Sequence, residues 1–343
     1  MPSGTVIDQV MTPDSPLSTF FERMLPGRSS IADEWRRMLA RAPVAGLPLD
    51  RDRDVVGKAY EMRVGLDLAE QPGYWQLLAF LPANRCDALM RAAGFEAPDT
   101  EGAEPIIDPM QRAWTRTSAP IVNDTAQVQA LSSCFDAACW SDMAHRVGRS
   151  WPVQWSRAAP GTIPRIGAEH RRTAEAISAL TGLARLWDSY LEHGRRQLLE
   201  LGSRVILEPT FAPGFAEGDM IVGRTLVEVK TYLNPAPHLE RWLDQLLAYV
   251  LLDQWDIYFL TDLALFAGWE ATLCRSAIDV VLQVGSSGPT PTLVGLRSEL
   301  ADVLHDDLGN AYRAHMHRRY PPPAEVWVRP DDLPDSPSTT TEA

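Results

Sequence analysis

Two acidic residues and a lysine stand at a spacing that could hydrolyse a phosphodiester. They lie in Asp219-Met-Ile-Val-Gly-Arg-Thr-Leu-Val-Glu228-Val-Lys230. Gly223-Arg224 reads as a two-residue hairpin turn, with Gly first as type II′ requires. Folding there sets Val222 against Thr225, Ile221 against Leu226 and Met220 against Val227, and leaves Asp219 opposite Glu228. Strand side chains alternate, so Asp219, Glu228 and Lys230 share one face. The other face, Met220, Val222, Val227 and Val229, is apolar and can pack on a core. Facing carboxylates repel, and a cation between them relieves the repulsion. Such hard oxygen donors suit Mg²⁺, which keeps waters and takes a phosphate oxygen as a further ligand. The metal would activate a bound water and neutralise charge at phosphorus, while the lysine orients that water and stabilises the transition state. The competing use of the same residues is a polar-faced hairpin whose edge lysine deters aggregation.

A helix must support this hairpin. From His238 to about Asp253, Leu239, Trp242, Leu243, Leu246, Leu247, Val250 and Leu251 recur at i, i+3, i+4 spacing and predict a stripe buried on a sheet. Gln245 and Tyr249 are i and i+4, neighbours on the flank of that stripe. Val205–Phe211 predicts a strand beside the hairpin, stopped by Pro209 and Pro213-Gly214, and 257–261 and 263–273 predict further strands.

The series Asp219, Glu228-x-Lys230 and Gln245-x-x-x-Tyr249 resembles the PD-(D/E)XK nuclease superfamily, in its RecB-like branch. The resemblance implies an α/β fold, a restriction-endonuclease-like mixed sheet of four or five strands flanked by helices. It implies that Asp219 and Glu228 bind Mg²⁺ or Mn²⁺ with the Val229 carbonyl as a third ligand, and that Lys230 positions the attacking water. Gln245 and Tyr249 would hold the lysine or the nucleic-acid backbone. The first helix of that branch carries a Gly followed by an acid near the metal, which matches Gly57 and Glu61. Glu61 can equally be a solvated helix residue, and Glu192 and Glu200 compete for the role. The implied function is metal-dependent hydrolysis of DNA, in repair or phage defence by family analogy. The alternative is a non-catalytic DNA- or protein-binding subunit with a nuclease-like fold.

Around this centre the chain divides by composition. Residues 1–16, with Pro2, Gly4, Pro13 and Pro16, predict a flexible leader. Residues 17–69 predict helices, including 54–68 with the stripe Val55, Ala59, Met62 and Leu66. Residues 70–200 predict a large helical insertion or cap, and 201–285 the nuclease core. Residues 286–328 predict a C-terminal helical segment, and 329–343, rich in Asp, Pro, Ser and Thr, a disordered tail.

The 343 residues carry a formal net charge of -13, with 45% hydrophobic and 22% charged residues. That is ordinary globular composition, and it argues against a protein that coats nucleic acid non-specifically. Trp140, Trp151 and Trp155 could stack on bases, but core packing accounts for such residues more often. Cys86, Cys139, Cys134 and Cys274 lack the spacing of the four-cysteine iron–sulfur cluster found in some RecB-like nucleases. His315 and His317, two apart on a helix, do not face one site. No basic-then-apolar leader and no apolar span of membrane length are expected, so the reading is a cytoplasmic protein. No Gly-x-x-x-x-Gly-Lys-Ser/Thr occurs, so any ATP-driven step needs a separate helicase or ATPase subunit.

Overall fold

The computed structural model describes residues 5–42, 53–69, 134, 174–212 and 215–310. The Trp140–Trp155 aromatics, Cys86, Cys139, His315, His317 and the tail lie outside them.

The chain is α/β. Five strands form one mixed sheet in the order β1-β4-β5-β6-β7: β1 Val205–Leu207, β4 Met220–Val222, β5 Thr225–Lys230, β6 Asp262–Ala267 and β7 Thr272–Ala277. β2 (Thr210–Ala212) and β3 (Ala216–Glu217) make a separate two-stranded sheet. The hairpin has the expected register, Val222 with Thr225, Ile221 with Leu226 and Met220 with Val227. Gly223 has φ +62°, and a Cβ there would also strike the Leu201 carbonyl, so glycine is required twice over. β5 and β6 are parallel, joined over the sheet by α7 (Leu239–Leu252), and the other pairs are antiparallel.

Both sheet faces are covered. On one, Ile221, Leu226, Leu263 and Leu265 pack under α7. The expected stripe of α7 is buried, and so are nearly all its other residues, because α1 (Val6–Met11), α2 (Pro16–Met24), α3 (Ser29–Leu39) and α9 (Leu293–Val303) pack around it. On the opposite face Met220, Val222, Val227, Val229 and Phe266 meet α4 (Arg53–Leu68) and α5 (Ala174–Ser189). α5 continues through a π-turn, Tyr190–Gly194, into α6 (Arg195–Leu199). Gly194 sits where a Cβ would strike the Phe266 ring, so the turn brings helix and sheet into close approach. Cys134 and Cys274 are buried on opposite sides of the sheet.

Several expectations are corrected. Residues 6–11, assigned to a flexible leader, form α1: Thr5 and Asp8 make a reciprocal capping box, and Val6 and Val10 are buried. Residues 174–199, placed in the insertion, are a layer of the core itself. The strand expected over 205–211 ends at Leu207, because Glu208 turns into the left-handed region at φ 52° and Thr210 starts the second sheet. Residues 257–261 are not a strand. The Asp253 carboxylate accepts the N–H groups of Ile257 and Tyr258, and Asp256 and Phe259 have positive φ, so the segment is a fixed loop. The strand pair therefore turns near Gly268, and the apolar run after it is helix α8 (Ile278–Gly285). No helix among the described residues is long and apolar enough to cross a membrane.

Candidate active site

The acidic residues gather where β4 begins and β5 ends. The ladder stops at Met220 and Val227, yet Asp219 prolongs it with its side chain: Oδ2 accepts the Val229 N–H at 2.7 Å. This turns the Asp219 carboxylate away from a head-on meeting with Glu228. Glu228 points to the α7 face and is 2% exposed. Its Oε1 accepts from Lys230 Nζ at 2.6 Å and from Gln245 Nε2 at 2.7 Å. Its Oε2 is buried with no hydrogen-bond partner among the described residues. An unsatisfied buried carboxylate oxygen is costly, and this one keeps the capacity to accept a further donor or cation.

Gln245 and Tyr249 are both buried, so neither reaches out to a nucleic-acid backbone. Gln245 spends one N–H on Glu228 and the other on the Tyr249 hydroxyl, 2.8 Å away. Phe211 stacks on the Tyr249 ring with centroids 5.3 Å apart. The pair thus orients Glu228, rather than the lysine as the resemblance implied.

From the other side of the sheet, α4 delivers Glu61. Gly57 lets the helix approach the end of β5, since a Cβ would lie 2.8 Å from Thr231 Oγ1. Glu61 then lies near enough to Asp219 for the two charges to interact, and Lys230 feels it too. The competing acids go elsewhere: Glu192 is exposed beside His193, and Glu200 is exposed and paired with Arg196.

Two members of the cluster escape sequence reading. Lys58 Nζ is 2.6 Å from Glu61 Oε1, with Glu208 and Asp219 also close. Its place three residues before Glu61, on one helix face, was the available signal. Glu208 lies opposite Asp219, as the Leu207–Met220 register and the bond from Glu208 N–H to the Asp219 carbonyl at 3.0 Å require.

No family model, curated protein or solved structure matches the chain. The chemistry of the site must therefore be judged on its donors. All are carboxylates or main-chain carbonyls, which favour Mg²⁺ or Mn²⁺ over softer metals. No three acidic, His or Cys side chains close around one point among the described residues. Lys58 and Lys230 instead hold one oxygen each of Glu61 and Glu228. By donor type, Asp219, Glu61 and the free Glu228 oxygen suit a hard cation. The Val229 N–H faces Asp219, and strand geometry turns its carbonyl to the same flank.

Electrostatics record the crowding. Burial, then the neighbouring Asp219 charge, push the Glu61 carboxyl up to about 8, and the same two causes push Glu228 up to about 7. Burial disfavours charge on Lys58 and Lys230, but the surrounding carboxylates outweigh it and hold both above the usual lysine range. The two raised carboxyls bind protons in the folded state that the unfolded chain releases near its ordinary carboxylate pKa. Their contribution to stability is present below about pH 4.5 and is lost as pH rises through about 7 to 8. Without divalent metal, the melting temperature is expected to fall over that window. Glu61→Gln should flatten the fall; an unchanged slope would remove Glu61 from the cluster.

Proposed function

We propose that this chain is a divalent-metal-dependent nuclease of the PD-(D/E)XK type, RecB-like branch, which hydrolyses DNA phosphodiester bonds. The observation that carries the reading is Glu228: a buried carboxylate fixed through one oxygen by Lys230 and Gln245, its other oxygen unsatisfied, beside Asp219 and Glu61. A hairpin followed by a helix crossing over to a parallel strand, with the acids at the strand ends, also suits a restriction-endonuclease-like core.

Asp219, Glu228, Glu61 and the Val229 carbonyl would hold Mg²⁺ or Mn²⁺. Bound there, the cation would supply Lewis-acid activation of water and charge neutralisation at a phosphate oxygen. The Lys230 side chain is 17% exposed, and Glu228 fixes the position of its ammonium. From there it can hold the attacking water and meet negative charge developing at phosphorus. Gln245 and Tyr249 are positioning residues that keep Glu228 in place. In a chain of net charge -13 with no nucleotide-binding motif, such a domain would act in the cytoplasm with a separate helicase or ATPase subunit.

The test is cleavage of labelled single- and double-stranded DNA with Mg²⁺, Mn²⁺ or EDTA, beside thermal melting. Mg²⁺ at a hundredfold excess over its Kd should stabilise the wild type by about 2.7 kcal/mol. Asp219→Asn keeps an acceptor for the Val229 N–H but removes charge, and should lose both the stabilisation and the cutting. Glu61→Gln should lower turnover while Glu192→Gln leaves it alone. Equal Mg²⁺ shifts in wild type and Asp219→Asn would move the metal elsewhere. DNA binding without cutting in any metal would favour the non-catalytic alternative.

A further inference from the structure

Four carboxylates, Glu61, Glu208, Asp219 and Glu228, share the site with two ammonium groups, Lys58 and Lys230. Counted at formal charge, four negative against two positive leaves a deficit of two. The two lysines are held differently. Lys230 is largely enclosed and pinned to Glu228, whose second partner is Gln245. The Lys58 side chain is 37% exposed, and its ammonium lies 2.6 Å from Glu61 Oε1 with Asp219 and Glu208 around it. The side chain is thus partly open to solvent while its ammonium is bonded to Glu61. Glu228 Oε2, buried and without a partner among the described residues, shows that the lysines do not complete the site.

We infer that Lys58 is a built-in counter-ion of this site, occupying the cation position beside Glu61 and withdrawing when a divalent metal binds. The inference rests on the metal-dependent reading above. Exchanging the single charge of Lys58 for a divalent cation takes the formal balance from -2 to -1, and the cation can also take the free Glu228 oxygen. The exchange is possible because a lysine is a point charge on a flexible four-carbon stem, and this one has solvent to move into. Lys58 offsets repulsion among the acids before metal arrives, and as a tethered competitor it weakens metal binding by a fixed factor.

Calorimetric titration of Mg²⁺ or Mn²⁺ into the full chain tests this. Lys58→Met should bind metal roughly tenfold more tightly than wild type, the size of an ordinary coupling between two competing ligands. Its metal-free melting temperature should be lower, and its gain on adding metal larger. Lys58→Arg keeps the charge and should show no tightening. If Lys58→Met does not fold, Lys58→Gln, which retains a hydrogen-bond donor for Glu61, should show the same tightening. A lysine with a merely structural role would lower the melting temperature and leave affinity unchanged or weaker, and that result overturns the inference. If wild type binds metal and the variants bind it equally, only this inference fails. If neither wild type nor any Lys58 variant binds metal, the nuclease reading fails with it.

Discussion

Lys230→Ala is expected to lower the rate of metal-dependent DNA cleavage by about 10²–10³, the usual loss when one preorganised charge is taken from a transition state. The ammonium is held by Glu228 on a rigid strand end, so it need not be repositioned as charge builds at phosphorus. Lys230→Arg should not restore the rate, because a planar guanidinium cannot occupy the place of a compact ammonium. The exchange also has a structural cost. On a solvent-facing strand it would hardly touch stability, but here it deprives a buried carboxylate of a charged hydrogen bond, worth about 1.5–3 kcal/mol. Part of that is recovered by protonation, since Glu228 is already pushed up to about 7. Rates must therefore be compared well below the melting temperature of each variant. Cleavage at the wild-type rate by a folded Lys230→Ala protein would end the catalytic assignment.

Asp244→Ala is expected to destabilise the fold by about 3–5 kcal/mol, the range for breaking a buried ion pair from one side. Arg28 Nε lies 2.5 Å from Asp244 Oδ1 and Nη2 3.1 Å from Oδ2, with both residues buried. The same guanidinium donates through Nη1 to the carbonyls of Phe21 and Leu25, and so ties the end of α2 to α7. Burial pushes the Asp244 carboxyl up to about 6 even though Arg28 pulls the other way. Desolvation thus offsets much of the attraction, and the pair matters mainly because neither half can be left alone. Replacing both halves by apolar residues, Arg28→Met with Asp244→Leu, should recover most of the loss. Denaturant unfolding measures each variant. A cost below about 1 kcal/mol for Asp244→Ala would show that Glu240, 3.7 Å from Arg28, takes over the charge.

The hairpin and the α7 stripe were legible because their signals are local. A two-residue turn fixes the register of Met220–Val227, and helical spacing fixes which side of α7 meets the sheet. Helix spacing put Gln245 and Tyr249 side by side and the family resemblance marked them as site residues, but the target of Gln245 was not legible, because it depends on the depth of Glu228 beneath that helix. Glu208 was hidden by register: without the Leu207–Met220 pairing nothing in the sequence sets it against Asp219. Ile257–Thr261 has the β-branched and aromatic composition of a strand, yet Asp253 captures its N–H groups first. α1 was missed because prolines and glycine outweighed the Thr5–Asp8 capping box that begins it.

Glu61 and Lys58 come from α4, whereas Asp219, Glu228 and Lys230 come from strands more than 150 residues later. On the ribosome, at about 5–20 residues per second, roughly 10–30 s separate the emergence of these two halves. A nascent chain therefore carries Lys58 and Glu61 without the strand half of the cluster until the hairpin has left the exit tunnel. On the proposed nuclease reading, the activity would stay switched off through most of translation by chain order alone. On the same reading, a chain ended before residue 219 lacks Asp219, Glu228 and Lys230 and should not cut DNA.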